Sequence, residues 1–313
     1  MNNFLRNVLK GLQSSPKYLD SKYFYDKKGD ELFQKIMNSE EYYLTNAEME
    51  IFSKQSVQIA DKVLDKTKEI DVIEFGPGDA VKSIYLLKEL SERDAIALYF
   101  PIDISENIIN LLNKNLPKQT PQLCMKGFAG EYLEMLSEIN KISSRRKLVL
   151  FLGANIGNFK FNEMPEFCNS LRSLLSEGDM VFIGFDLKKD PEKILGAYND
   201  KSGFTKEFNL NLLRRINKEL NGNFEIKNFV HYPTYDPETG SCKSYLISIK
   251  EQTVKIENTL INFEKYEPVF MEISQKYSIK EIDEILIQCG FEVVTYFFDS
   301  NKYFTDVLLK CKI

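Results

Sequence analysis

The stretch Ile73-Glu74-Phe75-Gly76-Pro77-Gly78-Asp79 closes an apolar run at 72–75 and opens an amphipathic one at 81–90. Two glycines one residue apart let the backbone approach a ligand at the carboxyl end of a parallel strand. A dinucleotide-binding turn carries a further glycine where this chain has Val81, which disfavours a nucleotide-dependent oxidoreductase. The next apolar run, 98–102, ends at Asp103, where a carboxylate can accept hydrogen bonds from both hydroxyls of a ribose. Read alone, these residues also make a tight strand-to-helix turn with a capping aspartate.

Outward from that turn, apolar runs at 123–128, 147–152 and 180–185 alternate with helix-like segments at 105–112 and 163–175. The alternation predicts a parallel sheet covered by helices on both faces. After Asp186 the rhythm changes. Helix-like stretches at 191–198 and 208–220 lead into alternating runs at 224–235 and 242–255. These read as antiparallel strands joined by the turn Asp236-Pro237-Glu238-Thr239-Gly240. A helix at 279–289, closed by Gly290, and two strands at 291–298 and 303–310 return to the α/β pattern. The expected organisation is one α/β domain at 61–190 and 277–313, interrupted by a second, α+β domain built from 191–276 together with the Tyr- and Phe-rich residues 1–60.

Composition narrows the function. The 313 residues carry Lys+Arg 41 against Asp+Glu 46, a net charge of −5. Proteins that track phosphates show a basic excess, so a nucleic-acid partner is not expected. No apolar run approaches the roughly 18 residues of a membrane span, and MNNFLRNVLKGLQ lacks a secretory apolar core and cleavage site. The sequence therefore predicts a cytoplasmic protein with no membrane partner, a small-molecule substrate and, by default, a monomeric state. Five scattered cysteines without a CxxC, and the single histidine His231, predict reduced thiols and no metal site.

Strand, E-x-G-x-G turn, helix, strand and aspartate together resemble the S-adenosylmethionine site of Rossmann-like methyltransferases. Gly130-Glu131-Tyr132, after the third strand, adds a carboxylate and an aromatic that can meet an adenine, or can simply start a helix. After the fourth strand stands Phe151-Leu152-Gly153-Ala154-Asn155-Ile156-Gly157-Asn158-Phe159. Nucleobase-amine methyltransferases carry an Asn/Asp/Ser-Pro-Pro-aromatic string there, and its absence argues against a base as substrate. Asn158 offers two donors and an acceptor, or caps the next helix.

Longer strings carry a more specific resemblance. Tyr23-Phe24-Tyr25-Asp26-Lys27-Lys28-Gly29-Asp30-Glu31-Leu32-Phe33 and Glu41-Tyr42-Tyr43-Leu44-Thr45 are similar to the amino-terminal signature of the L-histidine Nα-methyltransferase family, which makes the betaine precursor of ergothioneine. Pro101-Ile102-Asp103-Ile104-Ser105, Gly184-Phe185-Asp186-Leu187-Lys188-Lys189-Asp190-Pro191, Ala197-Tyr198-Asn199-Asp200 and Glu272-Ile273-Ser274-Gln275-Lys276-Tyr277 continue it in order. The resemblance implies a Rossmann-like class I methyltransferase domain with an inserted α+β substrate-binding domain, and S-adenosylmethionine as co-substrate without a metal.

It also implies roles. Tyr42, Gly76, Lys82, Asp103, Glu131 and Tyr132 fall where the family contacts S-adenosylmethionine, and Gly78 belongs to the same turn. Tyr25, Gly153, Asn158 and Tyr198 fall where it binds the amino-acid head group, with Tyr42 beside them, and Glu272 and Ser274 where it holds the imidazole. The family has Asp-Phe at Glu131-Tyr132, and a methionine of the imidazole pocket falls at Ser244.

Two of these assignments have an independent physical basis. Residues two apart on a strand share a face, so Glu272 and Ser274 can meet one ring, the carboxylate accepting an azole N–H and the hydroxyl serving a ring nitrogen. Methyl transfer from a sulfonium needs alignment more than acid catalysis. Tyr25, Asn158 and Tyr198 are the expected catalytic residues. Tyr25 and Asn158 hold the carboxylate, water or a tyrosine oxygen removes the amine proton, and the Tyr42 and Tyr198 faces accommodate the methylated cation. The alternatives are another small amino acid or aromatic amine as acceptor, and, in a different class, a cofactor-binding subunit without turnover.

Overall fold

The computed structural model describes residues 3–64 and 67–312. The chain divides into two compact units, Leu44–Lys188 with Gln275–Ile313, and Met1–Tyr43 with Lys189–Ser274.

In the first unit, seven strands among the described residues form one sheet: β1 Ile70–Phe75, β2 Ile96–Asp103, β3 Phe128–Ala129, β4 Lys147–Phe151, β5 Met180–Asp186, β6 Phe291–Phe298 and β7 Phe304–Cys311. Their spatial order is β6-β7-β5-β4-β1-β2-β3. Strands β1 to β5 pair in parallel, and β7 runs antiparallel to both β5 and β6. Every residue of β1, β4 and β5 is buried. That is why these strands read as largely apolar runs, with Asp71, Glu74, Lys147 and Asp186 the buried exceptions, since helices cover both of their faces. Phe75, Phe100, Phe151 and Phe185 make the centre of this core with Leu136, Phe167 and Leu286 from the covering helices. Strand order reverses at β1, between β2 and β4, and the crevice at such a switch point is where open α/β sheets bind ligands. This is the parallel sheet that the alternation predicts, in the Rossmann-like form that the resemblance implies.

Two expectations are corrected here. The run 123–128 is not a strand along its length. Only Phe128–Ala129 pairs with β2, and Met125 makes an isolated bridge to Tyr99. It lies at the sheet's edge, where natural sheets keep pairing short. Second, helix Tyr43–Leu64 belongs almost wholly to the sheet unit, although residues 1–60 were expected to go with the insertion. Phe52 meets Phe182 of β5 edge-on at 5.8 Å, and Gln55 donates to the Phe298 carbonyl at 2.9 Å.

The second unit holds a four-stranded sheet ordered Lys17–Tyr18, Pro268–Gln275, Ser241–Ser248, Phe229–Asp236. Helix Phe204–Glu219 lays Phe208, Leu212 and Ile216 into a core shared with Phe4, Phe24, Leu246 and Met271. The run 242–255 is two strands rather than one. Ser241–Ser248 pairs with Phe229–Asp236, and Gln252–Ile256 turns back on Thr259–Phe263 as a separate hairpin. The strand expected from residue 224 begins at Phe229, after a short helical turn at Ile226–Asn228.

Candidate active site

At the carboxyl end of β1 the backbone takes left-handed values at alternate residues, with φ of +63° at Gly76, +56° at Gly78 and +57° at Ala80. The Gly76 amide donates to the Ile102 carbonyl at 2.8 Å, which ties the turn to the end of β2. A Cβ on Gly76 would stand 2.8 Å from Tyr132 Oη and 3.2 Å from Asn155 Nδ2, whereas one on Gly78 would meet nothing within 4 Å. Gly76 is thus required by close packing. Gly78 leaves open space above the turn.

Asp103 ends β2, and its Oδ1 accepts from the Ser105 amide at 2.8 Å, which fixes the carboxylate at the strand's end. Ser105 then caps helix Glu106–Gln119. The Asp103 carbonyl accepts from the Gly130 amide at 2.9 Å, so Glu131 and Tyr132 follow at the same edge. Tyr132 has a divided role. Its ring stacks on Phe75 at 5.0 Å and 5°, as a core aromatic would, while its hydroxyl reaches the Gly76 turn. Burial raises its phenol above the ordinary value, and the charges of Asp103 and Glu131 raise it further.

Beneath the turn lies a polar network that the sequence reading did not identify. Glu74 is buried and accepts from the Tyr99 hydroxyl at 2.6 Å. Burial pushes its carboxyl up to about 7, against the pull of Tyr99, Ser83 and Lys82. Lys82 pairs with Glu48 of helix Tyr43–Leu64, and the other Glu48 oxygen accepts from the Gly153 amide at 2.7 Å. Asp306 of β7 lies wholly buried beside Glu48, and neither of its oxygens has a hydrogen-bond donor among the described residues. Glu48 and Asp306 each interrupt an apolar pattern, Leu44-x-x-Ala47-Glu48-x-x-Ile51-Phe52 and Phe304-Thr305-Asp306-Val307-Leu308. That interruption was the available signal.

After β4, Gly153 and Ala154 both take left-handed values, φ +73° and +56°, and turn the chain into the short helix Asn155–Asn158. Asn155 directs its amide toward Gly76 and Gly153, a position the sequence reading did not single out. Asn158 is exposed at the far end of the turn.

In the insertion unit, the Tyr198 hydroxyl donates to Ser274 Oγ at 2.6 Å, and the Tyr198 ring meets that of Tyr42 edge-on at 6.3 Å. Ser274 is buried and Glu272 half-buried on strand Pro268–Gln275, while Ile273 between them is buried. Tyr25 stands on another aromatic group, 5.7 Å from Phe33 and 5.7 Å from Phe208. Ser244 is buried, with its hydroxyl 3.3 Å from His231 Nε2. Each unit therefore gathers its own set: Gly76, Gly78, Lys82, Asp103, Glu131, Tyr132, Gly153 and Asn158 in the sheet unit, and Tyr25, Tyr42, Tyr198, Glu272 and Ser274 in the insertion.

The family model described as histidine-specific, S-adenosylmethionine-dependent methyltransferase matches residues 4–311. The chain belongs to that family. It is 29% identical over 296 residues to the histidine N-alpha-methyltransferase of Mycobacterium tuberculosis, an alignment covering 94% of this chain and 90% of the relative. It is 29% identical over 310 residues to ergothioneine biosynthesis protein 1 of Neurospora crassa, covering 96% of this chain and 34% of that longer protein. An L-tryptophan methyltransferase of Psilocybe serbica is 28% identical over 310 residues, covering 90% and 86%. No helix among the described residues is long and apolar enough to cross a membrane.

Membership in this methyltransferase family makes S-adenosylmethionine the co-substrate, and the turn suits it. The open space at Gly78 and the fixed carboxylate of Asp103 could supply room and a hydroxyl acceptor. Asp103→Ala is expected to weaken S-adenosylmethionine binding by about 1–3 kcal/mol, the range for a charged hydrogen bond left unmade. Calorimetry on a folded variant reads this directly, and parental affinity would remove Asp103 from the site.

Proposed function

We propose that this methyltransferase acts on the α-amino group of L-histidine, adding up to three methyl groups to give the betaine hercynine. The observation that supports this most is the Tyr198–Ser274 hydrogen bond on the strand that also carries Glu272. A serine hydroxyl can serve a ring nitrogen, and a carboxylate two residues away on the same strand can accept from the opposite ring N–H. An imidazole offers both partners; an alkyl or phenyl side chain offers neither.

Bound S-adenosylmethionine supplies a methyl group already activated on sulfur. The protein's work is to hold the amine lone pair in line and let its proton leave. Asn158, the Gly153 segment and the Tyr25 hydroxyl are assigned to the substrate carboxylate. Glu131 and Tyr132 are assigned to the adenine end of the co-substrate, Lys82 to its charged end. His231 is not the base. Burial pulls its imidazole down to about 4 and its ring nitrogen faces Ser244, so the amine proton is assigned to water or a tyrosine oxygen as carrier. The edge-on pair Tyr42 and Tyr198 offers aromatic faces to the cation that grows with each methylation, worth about 0.5–2 kcal/mol each.

Asn158→Ala is expected to raise the histidine KM at least tenfold with S-adenosylmethionine affinity unchanged, because only the carboxylate contact is lost. Loss of cofactor binding as well would make Asn158 part of the loop's architecture. The reading as a whole is tested by transfer of labelled methyl from S-adenosylmethionine to a panel of histidine, tryptophan, phenylalanine and leucine. Histidine is expected to dominate, and a panel led by tryptophan would instead favour an aromatic-amine acceptor.

A further inference from the structure

Glu48 carries a charge in a place that costs a protein several kcal/mol unless it is well partnered. Its carboxyl is wholly buried among helix Tyr43–Leu64, β5, β7 and the two loops described above. One oxygen pairs with Lys82 Nζ and the other accepts from the Gly153 amide at 2.7 Å. Room for it is made at Gly184 of β5, where a Cβ would stand 2.6 Å from Glu48 Oε1 and 3.0 Å from Asp306 Oδ1. Glu48, Asp306, Lys82 and Glu74 are the charged or titratable groups in mutual reach there. Two buried carboxyls cannot both stay ionised side by side, and burial together with the Glu48 charge raises Asp306 well above its ordinary value.

We propose that Glu48 is a positioning residue for methyl transfer, holding the Lys82 side chain with one carboxyl oxygen and the Gly153 amide with the other, so that the cofactor turn and the acceptor loop share one geometry. The proposal rests on the assignment of Lys82 to S-adenosylmethionine and of Gly153 to the amino acid. It differs from a purely structural role because the two oxygens serve two ligands and can be separated.

Two variants do this. Glu48→Gln keeps an acceptor for the Gly153 amide and loses the charge that holds Lys82. Gly184→Ala presses on the oxygen that serves Gly153 and leaves the charge in place. In Glu48→Gln the S-adenosylmethionine Kd, read by calorimetry, is expected to rise about tenfold, with the histidine KM at saturating co-substrate within about twofold of the parent. In Gly184→Ala the pattern reverses, the KM rising about tenfold with Kd nearly unchanged. Thermal melting checks folding, and either variant alone shows its half of the split if the other fails to fold. Parental values in a folded variant, or Kd and KM rising together in it, would overturn the proposal. Failure of the parent protein to bind S-adenosylmethionine would overturn the underlying assignment of the site instead.

Discussion

In the double variant Glu272→Leu, Ser274→Ala, the preference for histidine over leucine in kcat/KM is expected to collapse from about 10⁴ to within about tenfold. The first figure is typical of sites built to hydrogen-bond a substrate N–H or O–H. Such a site rejects an apolar analogue because its own buried polar groups are then left unpaired. Ser274 is buried and receives the Tyr198 hydroxyl at 2.6 Å, and with leucine bound neither it nor Glu272 gains the ring nitrogen that the assignment gives it. Replacing both groups removes the penalty rather than adding a contact, and leucine turnover should rise as histidine turnover falls. The S-adenosylmethionine Kd should stay at the parental value, since neither side chain is assigned to the co-substrate. Steady-state kinetics with the two amino acids, beside calorimetry, separates the arms. A double variant that keeps the full preference would move recognition elsewhere, with Ser244 and its His231 neighbour the first residues to change.

The second large effect concerns stability. Lys276 Nζ lies 2.7 Å from Asp186 Oδ2, and both side chains are wholly buried. The pair joins the end of β5 to the residue just beyond strand Pro268–Gln275. Backbone bonds run alongside it, the Tyr277 amide to the Asp186 carbonyl at 3.1 Å and the Lys188 amide to the Tyr277 carbonyl at 2.9 Å. Lys276→Met leaves a buried carboxylate without this cation and is expected to destabilise the fold by about 3–5 kcal/mol. The double change Lys276→Met, Asp186→Leu should recover most of that loss, because an apolar pair of similar volume is often neutral against a buried ion pair. Urea unfolding midpoints of the three proteins decide it. An unchanged midpoint in Lys276→Met would show that the pair contributes nothing to the fold.

Local chemistry was legible in the sequence, and tertiary placement was not. Gly76, Gly78 and Asp103 announce themselves because a left-handed turn and a strand-ending carboxylate are decided within a few residues. The strands β1, β4 and β5 are equally plain, since burial on both faces writes a largely apolar run. The run 123–128 is less regular, with Lys126 and Gly127 inside it, and it pairs only at Phe128–Ala129 on the sheet's edge. Tyr132 reads as either an adenine neighbour or a core ring, and the fold divides it, ring to Phe75 and hydroxyl to the turn. Glu48 and Asp306 each show in the sequence only as a break in an apolar pattern, and what makes them notable is that two distant carboxyls are buried together. The alternation around Glu272 was legible, whereas the hydroxyl that orders Ser274 comes from Tyr198, 76 residues away in sequence.

The central claim is that methyl groups go to the α-nitrogen of histidine, and mass-spectrometric mapping of the product tests it most directly. The purified protein would be incubated with S-adenosylmethionine labelled in its methyl group and with L-histidine, beside Nα-acetylhistidine as a blocked control. The expected result is labelled hercynine from histidine, all methyl groups on the α-nitrogen, and no labelled product from the blocked analogue. Label on the imidazole ring, or histidine converted no faster than leucine, would contradict the account.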